Sequence, residues 1–190
     1  VQRAADQLNF TLSKSASALA SGKTMRVILL VSGKLNEWFN SGVLQGVYEE
    51  LAPVGYDVTP AFITDRSELD RFFSQLPKSR NADAIIISSF QLMPAMRDQL
   101  QAIDLPTVGV NVPAESGYFD ASISIDNSSA MTMAVRLLRS LGHTNIAFCS
   151  DYIPADMVYN TSQRTQAFAD AAQANATDGI TFSLLTADAH

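Results

Sequence analysis

The stretch Arg26-Val27-Ile28-Leu29-Leu30-Val31-Ser32 decides the fold, because five consecutive apolar residues stand between two polar ones. Such a run is typical of a strand that is buried on both faces of a parallel sheet. Apolar residues then recur at helical spacing over 41–54 and stop at Gly55, and a second strand is predicted over 56–63. A strand, a helix and a strand in this order predict a βαβ unit.

The same alternation continues along the chain. A helix is predicted over 67–76, where Pro77 ends it, and the other segments are predicted as follows: helices over 92–103, 128–141 and 163–175, and strands over 82–88, 106–111, 121–125, 145–150 and 180–185. Strands separated by such helices predict a doubly wound α/β fold with parallel sheets. The pattern restarts after Asp126, so a second α/β subdomain is expected from residue 127, with too few strands to cover its own sheet.

Composition narrows the class of protein. The 190 residues are 47% hydrophobic, which suffices for a core, and they contain no long apolar run. The first residues do not have the basic-then-apolar pattern of a signal peptide, so export is not expected. Cys149 is the single cysteine, which excludes an internal disulfide and fits a reducing compartment. We therefore expect a cytoplasmic protein with no membrane segment.

Charge is distributed unevenly. Residues 1–26 carry a net charge of +3, whereas the rest of the chain carries −9. A basic end on an acidic body restricts contact with a polyanion to the N-terminal segment.

The segment 9–24 is rich in alanine and serine and precedes the first strand. Ser13 suits a helix N-cap and Gly22 suits the residue after a helix, so a short helix is predicted between them. A linker with helical tendency is the alternative interpretation, because so short a helix is marginal in water.

The spacing of Phe10, Ala16 and Leu19 resembles the hinge helix of the lactose-repressor (LacI/GalR) family, whose pattern is aromatic-x-Pro-Asn-x-x-Ala-Arg-x-Leu. The sequence departs from that pattern at three positions, where Leu12, Ser13 and Ser17 stand in place of Pro, Asn and Arg. In the family, paired hinge helices enter the minor groove and insert a leucine between base steps. The resemblance therefore implies DNA contacts at four residues: Lys14, Ser15, Ala16 and Leu19.

Further matches extend the resemblance to about Leu185. They are Asn36-Glu37-Trp38-Phe39, Asp126-Asn127, Gly142-His143 with Ile146-Ala147, and Arg164 with Phe168. The resemblance implies a periplasmic-binding-protein-like fold in two subdomains. It also implies that the chain lacks most of a helix-turn-helix and the last part of the core.

The resemblance divides the chain into three parts: the end of a DNA-binding headpiece with its hinge helix (1–24), an N-terminal effector-binding subdomain (25–126) and the start of a C-terminal one (127–190). It implies a homodimeric transcriptional regulator, which we expect to be a repressor, that binds a palindromic operator and senses a small sugar-like effector between its subdomains.

Effector contacts are expected where strands end, because ligands of open α/β sheets bind beyond the carboxyl ends of strands. Position gives the candidates Asp65, Ser89 and Asn111. The resemblance, supported by position, gives Trp38 and Phe39, and the resemblance also adds Asp126 and Arg164. An aromatic ring can stack on a sugar, and a guanidinium is a forked donor for hydroxyl groups.

Each candidate also has an ordinary structural explanation. One of the two rings, Trp38 or Phe39, is expected to pack on the domain, and the sequence does not indicate which of them does so. Small polar residues are common caps and turns, and Asp126 could cap the helix that follows it. Arg164 could pair with Asp151 or Asp156.

No catalytic set is apparent. His143 and His190 are the only histidines, neither lies at metal-ligand spacing, and Gly33-Lys34 lacks the upstream glycine of a phosphate loop. We expect no enzyme activity, no metal and no cofactor. The main alternative is a solute-binding protein of a sugar transporter, which shares the fold, and an α/β enzyme is supported by the fold alone.

Overall fold

A computed structural model of the protein describes residues 22–79, 81–112, 119–150, 160–176 and 179–186. The predicted hinge helix, with Lys14, Ser15, Ala16 and Leu19, lies outside the described residues. Strands and helices alternate along the described part, as the hydrophobic pattern predicts, except that two strands follow one another at 107–110 and 121–123.

The first unit contains five strands and three helices among the described residues. In chain order they are β1 (Arg26–Ser32), α1 (Trp38–Leu51, followed by a 3-10 turn at Ala52–Val54), β2 (Asp57–Ile63), α2 (Arg66–Ser79), β3 (Ala84–Ser88), α3 (Pro94–Ala102), β4 (Thr107–Val110) and β5 (Ala121–Ile123).

These strands form one parallel sheet in the order β2-β1-β3-β4-β5. β1 lies between β2 and β3, with Val27 opposite both Val58 and Ala84. The central position explains the apolar run in β1, because a strand with neighbours on both sides and cover on both faces has no side exposed to water.

The main core lies between one face of this sheet and helices α2 and α3. Ile28 and Leu30 of β1 point to this face together with Ile85 and Ile87 of β3. Phe73 of α2 is almost fully buried against them. The remaining buried side chains of this core are Ile63, Leu69, Leu76, Phe90, Leu92, Met96 and Leu100.

The second unit comprises α4 (Asn127–Ser140), β6 (Asn145–Ser150), α5 (Asn160–Ala174) and β7 (Thr181–Thr186). Its two strands are parallel to each other, and its small core centres on Phe168, whose ring stacks on that of Phe148 at 5.3 Å. Several large apolar side chains of this unit are exposed: Met133, Leu137, Leu141, Leu184 and Leu185. Two strands thus leave much of the unit's apolar surface uncovered.

Several boundaries differ from the sequence-based prediction by a few residues, and two of these differences have a physical reason or a consequence. Pro77 does not end its helix, since α2 continues to Ser79. Proline removes the N–H that would bond the carbonyl of Phe73, but its ring fixes φ at a value that a helix accepts, so the chain stays helical for two more residues. The first helix begins at Trp38 rather than at residue 41, which places the two adjacent aromatic residues in its first turn.

Candidate functional site

The carboxyl ends of the parallel strands meet at one edge of the five-stranded sheet. The pairing sets Ser32 opposite Ile63, and Ser88 opposite both Val31 and Val110. The loops that follow β1, β2, β3 and β4 therefore leave the sheet together, and we call this region the carboxyl edge.

Ser89 and Asn111 are brought together at the carboxyl edge. The Asn111 side-chain amide Nδ2 donates a hydrogen bond of 3.1 Å to the Ser89 hydroxyl, which also lies 3.4 Å from the hydroxyl of the fully buried Ser88. Ser89 has φ of 71° and Asn111 has φ of 54°, both in the left-handed region. That backbone conformation is costly for residues other than glycine, and such residues cluster at ligand sites.

The turn from β1 into α1 is held by a residue that the sequence analysis did not single out. Asn40 is buried, and its Nδ2 donates to the carbonyl oxygens of Ser32 at 2.8 Å and Lys34 at 3.1 Å. It lies four residues before Leu44, so it continues the apolar stripe of α1. An asparagine at a position of the apolar stripe was the signal available in the sequence.

The same turn presents the two aromatic residues. Trp38 is 84% exposed, whereas Phe39 is half-buried, and their rings meet edge-on with centroids 5.6 Å apart. Of the two, Phe39 is therefore the ring that packs on the domain. The face of Trp38 is accessible to a ligand, although its contact with one stays a prediction.

Asp65 and Glu68 cap the start of α2. The Asp65 carboxylate accepts a hydrogen bond from the backbone N–H of Glu68 at 2.9 Å, while the Glu68 carboxylate accepts from the N–H and the hydroxyl of Thr64, both at 2.8 Å. These bonds lower the pKa of Glu68, with the backbone N–H of Thr64 as the largest cause. Asp65 thus has a structural role as a cap, and its contact with an effector stays a prediction.

Asp126 is the N-cap of α4. Its carboxylate accepts from the Ser129 backbone N–H at 2.9 Å and from the Ser129 hydroxyl at 2.7 Å. The hydroxyl is the larger cause of the lowered pKa of Asp126. Capping is therefore the role that the structure gives to Asp126, and an effector contact stays a prediction here too.

Arg164 lies on α5, four residues after the start of that helix at Asn160. Its Nε is buried and has no hydrogen-bond partner among the described residues. Buried donors without partners are rare, and an acceptor from a water, an ion or a ligand is one explanation for such a group. Asp151 and Asp156, the alternative partners, lie outside the described residues.

The surface has depressions away from these residues. One, of about 520 Å³, lies at the amino end of β4 and includes Arg97 and Asp120, and another, of about 440 Å³, includes Arg136 and His143. Neither contains a side chain that the sequence analysis assigned to a ligand.

Within the described ranges, no three or more His, Cys, Asp or Glu side chains are grouped as metal ligands would be. No helix in the described part of the chain has the length and apolar character needed to cross a membrane.

Comparison with known proteins identifies the relatives of this α/β fold. No protein-family model matches the chain. The chain is 25% identical to the transcriptional regulator PtxS of Pseudomonas aeruginosa over 169 residues, which are 88% of the chain and 48% of PtxS. It is 28% identical to the transcriptional repressor PurR of Vibrio atlanticus over 155 residues, which are 80% of the chain and 46% of PurR. The chain thus spans about half the length of the curated relatives it matches.

The fold agrees with these relatives. One solved structure that the chain resembles is a LacI family transcriptional regulator from Lactobacillus casei with bound glucose. The match has a TM-score of 0.63 and 26% sequence identity, and it covers 83% of the present chain and 59% of the Lactobacillus casei chain. The fold is that of the periplasmic-binding-protein-like α/β class. Within this class, the chain is similar over most of its length to the LacI family of transcriptional regulators. The family resemblance and the fold class predicted from the sequence are confirmed.

Proposed function

We propose that the chain is the effector-binding part of a DNA-binding transcriptional repressor that senses a small sugar-like molecule. The observation that carries the proposal is the similarity to LacI-type repressors over 80–88% of the chain. Homologues that are transcriptional regulators also argue against an enzyme, and they favour a cytoplasmic protein that acts on DNA.

The chemistry of the carboxyl edge supports a sugar-like effector. Trp38 offers an exposed aromatic face, on which the apolar face of a sugar ring can stack. Ser89 and Asn111 offer a hydroxyl and an amide to the ring hydroxyls. Arg164 would supply the forked donor from the second unit, with its buried Nε supporting that role. The glucose found in the Lactobacillus casei regulator is of the same chemical class.

The DNA-binding role is assigned to the N-terminal segment. Residues 1–26 carry a net charge of +3 on an otherwise acidic chain. In this proposal two copies form a homodimer on a palindromic operator, Leu19 of each copy enters a base step, and Lys14 contacts phosphate. The effector regulates binding because its affinity differs between the DNA-competent and DNA-incompetent states.

The experiment measures DNA binding by the intact gene product. A duplex selected by that protein from a random pool is titrated at several salt concentrations, using fluorescence anisotropy. We expect salt-dependent binding that Leu19→Ala weakens at least about tenfold, since the kinked complex loses its wedge. Leu12→Ala, on the same segment, is the matched control and should retain most of the affinity.

Two results would overturn the proposal. Binding that is insensitive to Leu19→Ala would remove the role of the hinge helix. An intact gene product that binds sugars and no DNA would favour the solute-binding protein instead.

A further inference from the structure

Asp83 joins the start of the first strand to the turn before β3. Its Oδ1 accepts hydrogen bonds from the backbone N–H and the hydroxyl of Thr24, at 2.7 and 2.9 Å. Its Oδ2 accepts from the backbone N–H of Met25 at 2.9 Å, and its own N–H donates to the carbonyl of Arg26 at 2.8 Å. Four hydrogen bonds thus hold two segments that are almost sixty residues apart in the chain. We call this arrangement the Asp83 clamp.

The clamp acts at a sharp bend in the backbone. Met25 has φ of 51°, in the left-handed region that a methionine rarely adopts. Its N–H is held by Asp83, and its carbonyl accepts from the N–H of Asp57 at 2.9 Å. A strained conformation persists only where its surroundings hold it, and here both polar groups of the peptide backbone are held. The bend sets the direction in which the chain enters β1.

The clamp is electrostatically reinforced. Burial alone would raise the pKa of Asp83, but the donors from Thr24 and Met25 and the nearby charge of Lys23 together lower it. The carboxyl group is therefore ionised at neutral pH. Hydrogen bonds to an ionised acceptor are roughly twice as strong as those between neutral groups.

One strand connects the clamp to the carboxyl edge. β3 runs from Ala84, directly after Asp83, to Ser88, directly before Ser89. Five residues of strand span about 16 Å, at roughly 3.3 Å per residue. Both flanks of β3 are paired, to β1 and to β4, so the residue that carries the clamp precedes a strand held on both sides.

We propose that Asp83 is a positioning residue, which fixes Thr24 and Met25 and thereby aims the N-terminal segment. The proposal rests on the function proposed above, in which that segment binds DNA. It predicts that loss of the carboxylate weakens DNA binding even when the domain remains folded.

Asp120 provides a matched control. Its Oδ2 accepts from the N–H and the hydroxyl of Thr107, at 2.7 and 2.9 Å, which are the distances found between Asp83 and Thr24. Asp120 therefore makes the same kind of bonds with a threonine, but it holds β4 rather than the N-terminal segment. A purely structural role for Asp83 would give the two aspartates similar effects.

The first measurement uses the intact gene product and the duplex that it selects. Asp83→Ala should weaken DNA binding by about tenfold or more, while Asp120→Ala should change it by less than about twofold. Thr24→Val and its control Thr107→Val each remove one hydroxyl donor. Thr24→Val should weaken DNA binding more than Thr107→Val does, but by a smaller factor than Asp83→Ala. It also keeps the test valid if Asp83→Ala does not fold.

The second measurement does not depend on DNA. Trypsin cleaves after Lys23, and the clamp holds the next residue, Thr24. Asp83→Ala should therefore speed cleavage at this bond by about tenfold or more, whereas Asp120→Ala should leave the cleavage rate nearly unchanged. If the wild-type protein selects no duplex, the proposed function fails and the cleavage rates still test the clamp. Equal cleavage rates in the two variants, or equal losses of DNA affinity, would overturn the inference.

Discussion

Asn111 and Ser89 are linked side chain to side chain, and both have positive φ, where β4 and β3 end. Each backbone is also held by the neighbouring strand: Ser89 N–H donates to the carbonyl of Val110 at 2.9 Å, and Asn111 N–H donates to that of Ile123 at 2.7 Å. The two polar side chains are thus fixed in place before any ligand arrives. A preorganised pair loses little side-chain freedom on binding.

Asn111 can be tested with two substitutions that separate backbone strain from side-chain chemistry. Asn111→Gly keeps the left-handed backbone at no steric cost, so the free energy of unfolding should change by less than about 1 kcal/mol. Asn111→Ala places a Cβ in that conformation and should destabilise by about 1–2 kcal/mol more than glycine does. Urea denaturation checks both values. Similar stability of the two variants would contradict the strain argument.

Trp38 provides its own optical probe, since it is the only tryptophan in the chain. With 84% of the residue exposed, its emission should be that of a water-exposed indole. Titration with glucose, other sugars and polyols should shift or quench that emission for the compound that binds, because stacking removes the ring from water.

Trp38→Ala gives the matching calorimetric test. It should weaken binding of the same compound by about tenfold and leave the unfolding midpoint nearly unchanged, because an exposed side chain contributes little to the core. Phe39→Ala is the control: it should lower the midpoint, since that ring is half-buried. Unchanged sugar affinity in Trp38→Ala would exclude Trp38 from the site.

The fold was largely predictable because its signals are local. The apolar run in β1 and the helical stripe that follows it each depend on spacing within one element, and each appears in the structure at nearly the predicted residues. Boundaries were less predictable. Pro77 lies within a helix that it was expected to end, because proline removes one intrahelical hydrogen bond and yet keeps a φ that a helix accepts.

The location of the candidate site was predictable from the sequence, but the hydrogen bonds between its residues were not. Ser89 and Asn111 both follow strands, which the sequence shows, but their hydrogen bond depends on the strand order, since it joins residues 22 positions apart. Asp83 was missed for the same reason, because its partners lie almost sixty residues earlier. A short polar residue before a strand has no local pattern that distinguishes a clamp from a solvated turn.

Gly109 and Gly46 should respond oppositely to alanine. A Cβ on Gly109 of β4 would lie 2.6 Å from Cγ2 of Val112 and 2.9 Å from Cδ2 of Phe119. Val112 is fully buried and cannot move aside, so Gly109→Ala should cost about 1–3 kcal/mol of unfolding free energy.

The opposite result is expected in α1, where a Cβ on Gly46 meets no atom within 4 Å. Gly46→Ala should therefore stabilise the protein by about 0.5–1 kcal/mol, through the helix propensity of alanine. Thermal or urea unfolding of the two variants measures both changes. Destabilisation by Gly46→Ala would mean that this helix surface is covered in solution.

Acid should destabilise the protein through a defined set of carboxyl groups. Hydrogen bonds hold the pKa below its ordinary value in four of them: Glu68, Asp83, Asp120 and Asp126. In Asp120 the backbone N–H of Thr107 is the largest cause. Because the unfolded chain binds these protons at higher pH than the folded one, stability is complete above about pH 4–5 and falls as pH drops below the ordinary values near 4.

The pH dependence can be assigned by removing carboxylates. The unfolding free energy, measured with urea from pH 7 to pH 3, should decline less steeply below about pH 4 in an Asp120→Ala variant than in the wild type, because one linked proton has been removed. Thr107→Val, which removes only the hydroxyl donor to Asp120, should reduce the steepness of the decline by a smaller amount than Asp120→Ala does. An unchanged slope in Asp120→Ala would show that the Thr107 bonds do not persist in solution.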